Sequence, residues 1–112
     1  MSKHTVQESV VSLGLNEELP IVEGSTTSRT LLDNPLLRVV MFTFDTGQLL
    51  TTHSSPRAVV VTILEGQMEF VLDGEPHLMD AGDVLYMAPD APHALTAKSP
   101  CRMQLVMVDP QQ

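Results

Sequence analysis

The chain has 112 residues, 14 acidic and 6 basic, a formal net charge of −8, and 43% hydrophobic against 18% charged side chains. That suits one packed domain and argues against disorder. The acidic balance argues against DNA, RNA or anionic membranes as partners, and the single cysteine, Cys101, rules out an internal disulfide or a multi-cysteine metal site.

No apolar run approaches the roughly 18 residues that a membrane helix needs. The N-terminal MSKHTVQESV has no apolar core of a signal peptide, so a cytoplasmic domain is expected. In chain order, His4 to Leu13 fits neither the helical nor the strand period well, leaving a short helix or an edge strand open. His4 is expected in a frayed terminus. Ser28 to Leu32 reads as a strand, ended by Asp33-Asn34-Pro35.

From residue 45 onward turn signals recur at strand-length intervals: Asp45-Thr46-Gly47, Ser54-Ser55-Pro56, Glu65-Gly66, Asp73-Gly74-Glu75, Asp80-Ala81-Gly82, Pro89 to Pro92 and Lys98-Ser99-Pro100. Between them Val39 to Phe44, Val59 to Leu64, Gln67 to Leu72, Asp83 to Met87 and Met103 to Val108 are rich in β-branched and apolar residues. Asp73-Gly74 supplies the positive φ of a tight hairpin. Met68, Phe70 and Leu72 share one face of their strand, with Gln67 and Glu69 toward water. Met103, Leu105 and Met107 alternate with Arg102 and Gln104. Val59 to Leu64 is apolar on both faces, so a barrel interior on one side and another sheet or subunit on the other are expected to cover it. Six internal methionines (Met41, Met68, Met79, Met87, Met103 and Met107) are expected first in the core and second in a pliable cavity wall.

Two segments carry chemistry. The first is Gly47-Gln-Leu-Leu-Thr-Thr-His53-Ser-Ser55-Pro-Arg57-Ala-Val59, running on to Leu64-Glu65-Gly66. The second is Gly82-Asp83-Val-Leu-Tyr86-Met87-Ala-Pro89-Asp-Ala-Pro92-His93-Ala-Leu95. Together they resemble the paired motifs of the cupin superfamily, and the chain is similar to small single-domain bacterial cupins of the conserved-barrel type. In the first family motif, G-x5-H-x-H-x3-E-x6-G, Gly47, His53 and Gly66 fall in register. Gly82, Asp83, Pro89, Pro92 and His93 match the second. The resemblance implies an all-β fold: a single-domain jelly-roll barrel of six to eight strands, commonly paired as a homodimer.

The resemblance also implies a metal site, formed in metal-binding members by two His and one Glu of the first motif and one His of the second. Here Ser55 stands at the second His position and Val59 at the Glu position, which leaves His53 and His93. Two neutral imidazoles make a poor set for iron or manganese and suit zinc, nickel or copper better. No cofactor is therefore the first expectation, with one of those three divalent metals as the second. The degenerate ligand set favours a small-molecule-binding domain. A metal-assisted dioxygenase or isomerase acting through His53 and His93, and a structural domain with a filled pocket, are the alternatives.

The expected pocket holds His53, Ser55, Arg57 and His93 at its mouth, over Val59, Val61, Phe70, Leu95 and either Tyr86 or Met87. Arg57 is a candidate for an anionic group on the ligand. Ser54 and Ser55 lack the elbow and acid of a nucleophile. Asp45, Asp80 and Asp83 read as turn residues, His77 as a surface residue and Cys101 as an inert packing residue. The expected organisation is an N-terminal extension with the first strand over residues 1–35, the barrel over 36–108 and a tail over 109–112.

Overall fold

The computed structural model describes residues 2–110, so the last two residues of the expected tail and Met1 lie outside the described residues. One short helix, α1 (Leu15–Glu18), precedes nine strands: β1 (Thr26–Asp33), β2 (Leu37–Phe44), β3 (Leu49–His53), β4 (Ala58–Glu65), β5 (Gln67–Leu72), β6 (Glu75–Asp80), β7 (Val84–Met87), β8 (His93–Ala97) and β9 (Cys101–Val108). They form two antiparallel sheets, ordered β1-β2-β9-β4-β7 and β3-β8-β5-β6, which face each other as a jelly roll. Among the described residues there are thus nine strands, more than the six to eight expected. The segments read from the sequence correspond to β1, β2, β4, β5, β7 and β9, and the additional strands β3, β6 and β8 all belong to the second sheet.

Alternation decides what faces inward. β4 buries Val59, Val61 and Ile63, while Val60 and Leu64 remain exposed on the outer face. β5 buries Met68 and Phe70. Phe44, Val61, Ile63, Met68 and Phe70 are almost fully enclosed, and each contributes roughly 1.5–3 kcal/mol by leaving water. Met41, Met68, Met79, Met87 and Met103 are buried too. At the β5–β6 hairpin, Asp73 and Gly74 both take positive φ (51° and 82°), which brings Leu72 opposite Glu75. Asp80 and Asp83 brace the next turn through Asp80 N–H to Asp83 Oδ2 (2.8 Å) and Asp83 N–H to Asp80 O (3.0 Å).

The N-terminal region corrects two expectations. His4 to Leu13 is neither helix nor strand, because its apolar residues Val6, Val10, Val11 and Leu13 stay exposed and its backbone forms no strand ladder with either sheet. His4 is not frayed. Its N–H donates to Asp33 O (2.7 Å) and its Nδ1 accepts from Asp33 N–H (3.1 Å), which ties it to the end of β1. Further along, Arg102 on the outer face of β9 is only 5% exposed. Its guanidinium donates to Leu19 O (2.8 Å) and pairs with Glu65 (3.4 Å), clamping the segment after α1 onto the sheet.

Cys101 is fully buried, and its thiol donates to Gln67 O (2.9 Å). Burial pushes its pKa above the ordinary thiol value, against the hydrogen bonds from Ser99. At mildly alkaline pH the native protein should therefore react with Ellman's reagent far more slowly than the guanidinium-unfolded protein. Equal rates would mean that the β9 end of the core is open to solvent.

Candidate functional site

The two motif histidines meet at one end of the barrel. In the β3–β8 ladder Leu50 lies opposite Leu95 and His53 opposite His93, so β3 carries one more residue than β8 over that stretch. Such a bulge re-aims the side chains beyond it. It puts Leu50 and His53 on the same inner wall despite their odd spacing. The imidazole centroids are 4.1 Å apart with planes tilted by 59°. His93 is 7% exposed and stacks on Phe70 at 5.9 Å and 15°, whereas His53 is exposed at the rim.

Hydrogen bonds fix the tautomers. Nδ1 of His53 lies 2.8 Å from Thr51 O, and Nδ1 of His93 lies 3.0 Å from Ala91 O. A carbonyl only accepts, so both Nδ1 atoms carry the proton and both Nε2 atoms present a lone pair. Neither Nε2 has a hydrogen-bond partner among the described residues. The pair can accept hydrogen bonds from a ligand.

Beneath it lies a cavity of about 80 Å³. Of the ten sequence-expected pocket residues, His53, Phe70, Met87, His93 and Leu95 line it. Val59 and Val61 are buried in the core (4% and 0% exposed) and do not reach its surface. Tyr86 is 59% exposed beside Val60 on the outer face, since alternation on β7 turns Met87 inward. Ser55 lies beyond the end of β3, so strand alternation from His53 does not reach it. Its carbonyl accepts Asp90 N–H (2.7 Å) and its Oγ accepts Arg57 N–H (3.3 Å). Arg57 is engaged by Asp109, Nε to Oδ1 at 3.0 Å.

Three lining residues were not named from the sequence: Phe42, Leu50 and Leu105, while Met103 lines the cavity as one of the methionines expected in its wall. The alternation of Met103, Leu105 and Met107 held the signal for Leu105. Phe42 shares its β2 face with Phe44, and the two rings stack at 5.8 Å. Leu50 was hidden by the bulge.

The donor set does not fit a resident metal. The two histidines come together, but among the described residues no group of three or more His, Cys, Asp or Glu side chains could hold an ion. Iron, manganese and zinc sites take three or four protein ligands.

A family model described as the cupin domain matches residues 40–109. The chain is similar to a conserved protein of unknown function from Streptococcus pyogenes, with 36% identity, 94% of this chain and 92% of that one covered, and a TM-score of 0.82. It is similar in fold to a cupin superfamily protein from Desulfitobacterium hafniense (20% identity, 98% and 99% covered, TM-score 0.81). A salicylate 1,2-dioxygenase from Pseudoaminobacter salicylatoxidans shares the fold over 84% of this chain and 30% of that one, at 18% identity and a TM-score of 0.72. No curated protein matches the chain by sequence.

Proposed function

The chain belongs to the cupin domain family, and on that footing we propose that it binds a small organic ligand between His53 and His93 without a full catalytic metal site. One observation carries this reading: two imidazoles with free Nε2 lone pairs close an otherwise apolar cavity, the usual make-up of a ligand site. The ligand is small. The cavity of about 80 Å³ compares with about 30 Å³ for one water in the liquid and with 300–1,000 Å³ for drug-sized pockets. A few carbon atoms would fill it, with a donor group turned to the imidazoles.

The metal motif is degenerate in this reading, because Ser55 and Val59 replace the two ligands that a metal-binding cupin would use. The likeness to the dioxygenase supports the fold and adds no reaction to it. Elemental analysis of protein purified without added metal should find zinc, nickel and copper far below one ion per chain. A near-stoichiometric metal that is lost in His93→Ala would overturn the proposal.

A further inference from the structure

We propose that two copies of this chain pair through the outer face of the first sheet, β1-β2-β9-β4-β7. An antiparallel sheet with one face in water usually turns polar side chains outward. This one does not. In the ladders Leu32 lies opposite Val39, Val39 opposite Val106, Val106 opposite Val60, and Val60 opposite Tyr86. Ladder partners point to the same side of a sheet, and Val60 and Tyr86 are exposed on the outer one. One unbroken apolar row therefore crosses all five strands outside the barrel. The next row on one side is Leu37, Val108 and Ala58, and on the other Met41, Gln104, Thr62 and Val84. On β2, β9, β4 and β7 these three rows contain no charged residue.

Charge and area make the occupant a second copy. With 14 acidic and 6 basic side chains, two copies repel over most of their surfaces. A face without charge is where they can meet, and it is complementary to itself, as a two-fold pair requires. Arg29, opposite Met41, and Arg102, next after Gln104 on the outer side of β9, are already held by Glu18 and Glu65. A basic partner would find no acid on this face to recognise. Five strands about 4.8 Å apart, each contributing five residues of about 3.3 Å, span roughly 400 Å² in projection. The segment before α1 extends that patch. Val10 and Leu15 share a cleft with Leu32, Val39 and Gln104, and Val11 and Leu13 beside them are exposed. Together they approach the roughly 500 Å² per copy at which specific dimers begin. Two such sheets can stack face to face about 10 Å apart with their strands about 30° from aligned.

Sedimentation velocity of the full chain over a dilution series tests the pairing, whatever the cavity binds. The native chain should sediment with twice the chain mass and dissociate on dilution. Val60→Glu, in the middle of the long row, should weaken the dimer by about a hundredfold or more, because each copy then buries an unpaired carboxylate. Tyr86→Glu, at the end of that row and more exposed, should act in the same direction and serves if Val60→Glu does not fold. Leu49→Glu is the control. It adds the same charge at an exposed position of β3, in the other sheet, and should leave the dimer intact. A native chain that stays monomeric to millimolar concentration would overturn the proposal and leave the face to a different partner. A dimer that persists in Val60→Glu and Tyr86→Glu, or one that Leu49→Glu dissociates equally, would overturn it too, by placing the contact elsewhere.

Discussion

In a Gly66→Ala variant the thermal midpoint should fall by on the order of 10–20 °C, for a loss of roughly 2–5 kcal/mol. Gly66 closes the turn in which the chain leaves β4 in one sheet and enters β5 in the other, and it sits at φ 81°. An added Cβ would lie 2.0 Å from Pro100 O, 2.9 Å from Pro100 C and 3.0 Å from Cys101 Sγ. The first two atoms belong to the backbone and cannot swing aside. Positive φ alone costs a side-chain-bearing residue about 1–2 kcal/mol, and crowding a packed region adds about 1–3. Gly74 is the control, with a similar φ of 82° and nothing within 4 Å of the added atom. Gly74→Ala should lose only the backbone part. Parallel thermal melts that give the two variants equal midpoints would mean that the close approach of Pro100 is not a constraint.

The same glycine shows why much of the fold was legible. Turns announce themselves in residues with special backbone freedom, and the strands between them in alternation, as in Met68, Phe70 and Leu72. β4, β5 and β7 bury one face and were visible for that reason, and β2 and β9, which bury adjacent residues, were visible as runs rich in β-branched and apolar residues. β3 and β6 are not like them. Each stands at an edge of the second sheet, and in Glu75–Asp80 only Met79 is buried, so no period of two reaches the sequence. β8 alternates His93, Leu95 and Ala97 inward, but two of its five residues are alanines, which carry little strand preference. His4 and Arg102 escaped notice for a different reason. Their partners, Asp33, Leu19 and Glu65, are distant in the chain, and no local pattern encodes them.

At the site, the spacing of the two motifs pointed to His53 and His93, and the structure brings them to 4.1 Å. Counting by two from His53 suggests that Ser55 shares its wall, but β3 ends at His53 and the backbone turns to meet Asp90. Counting by two also hides Leu50, because a bulge lies between it and His53. Arg57 looked free to meet a ligand until Asp109, 52 residues away, paired with it. Arg38 attracted no attention in the sequence. Its oddity is a buried Nε with no hydrogen-bond partner among the described residues, which only the packed chain reveals.

Restoring the two missing ligands is the second large expected effect. The double variant Ser55→His, Val59→Glu should bind nickel or manganese, with the native chain showing no comparable response. Val59 is 4% exposed and lies opposite Met87, which lines the cavity with His53 and His93. A carboxylate introduced there is buried, and without a counter-ion it costs several kcal/mol or takes up a proton. A divalent ion shared with the imidazoles removes that penalty. The variant should therefore melt well below the native chain in chelator and recover by about 2.7 kcal/mol of stability at a hundredfold excess over the dissociation constant. The histidines are already prepared for this role, since Nδ1–H donation to Thr51 O and Ala91 O is the orientation a ligating imidazole needs. Ser55 is the weaker half of the design, because its segment has left the strand. Val59→Glu alone, with three donors, should thus give a smaller recovery than the pair. Melts of both variants with and without metal, repeated in a His93→Ala background, make the comparison. A flat response in the double variant, or a rise that survives loss of His93, would show that these positions do not surround one point in space.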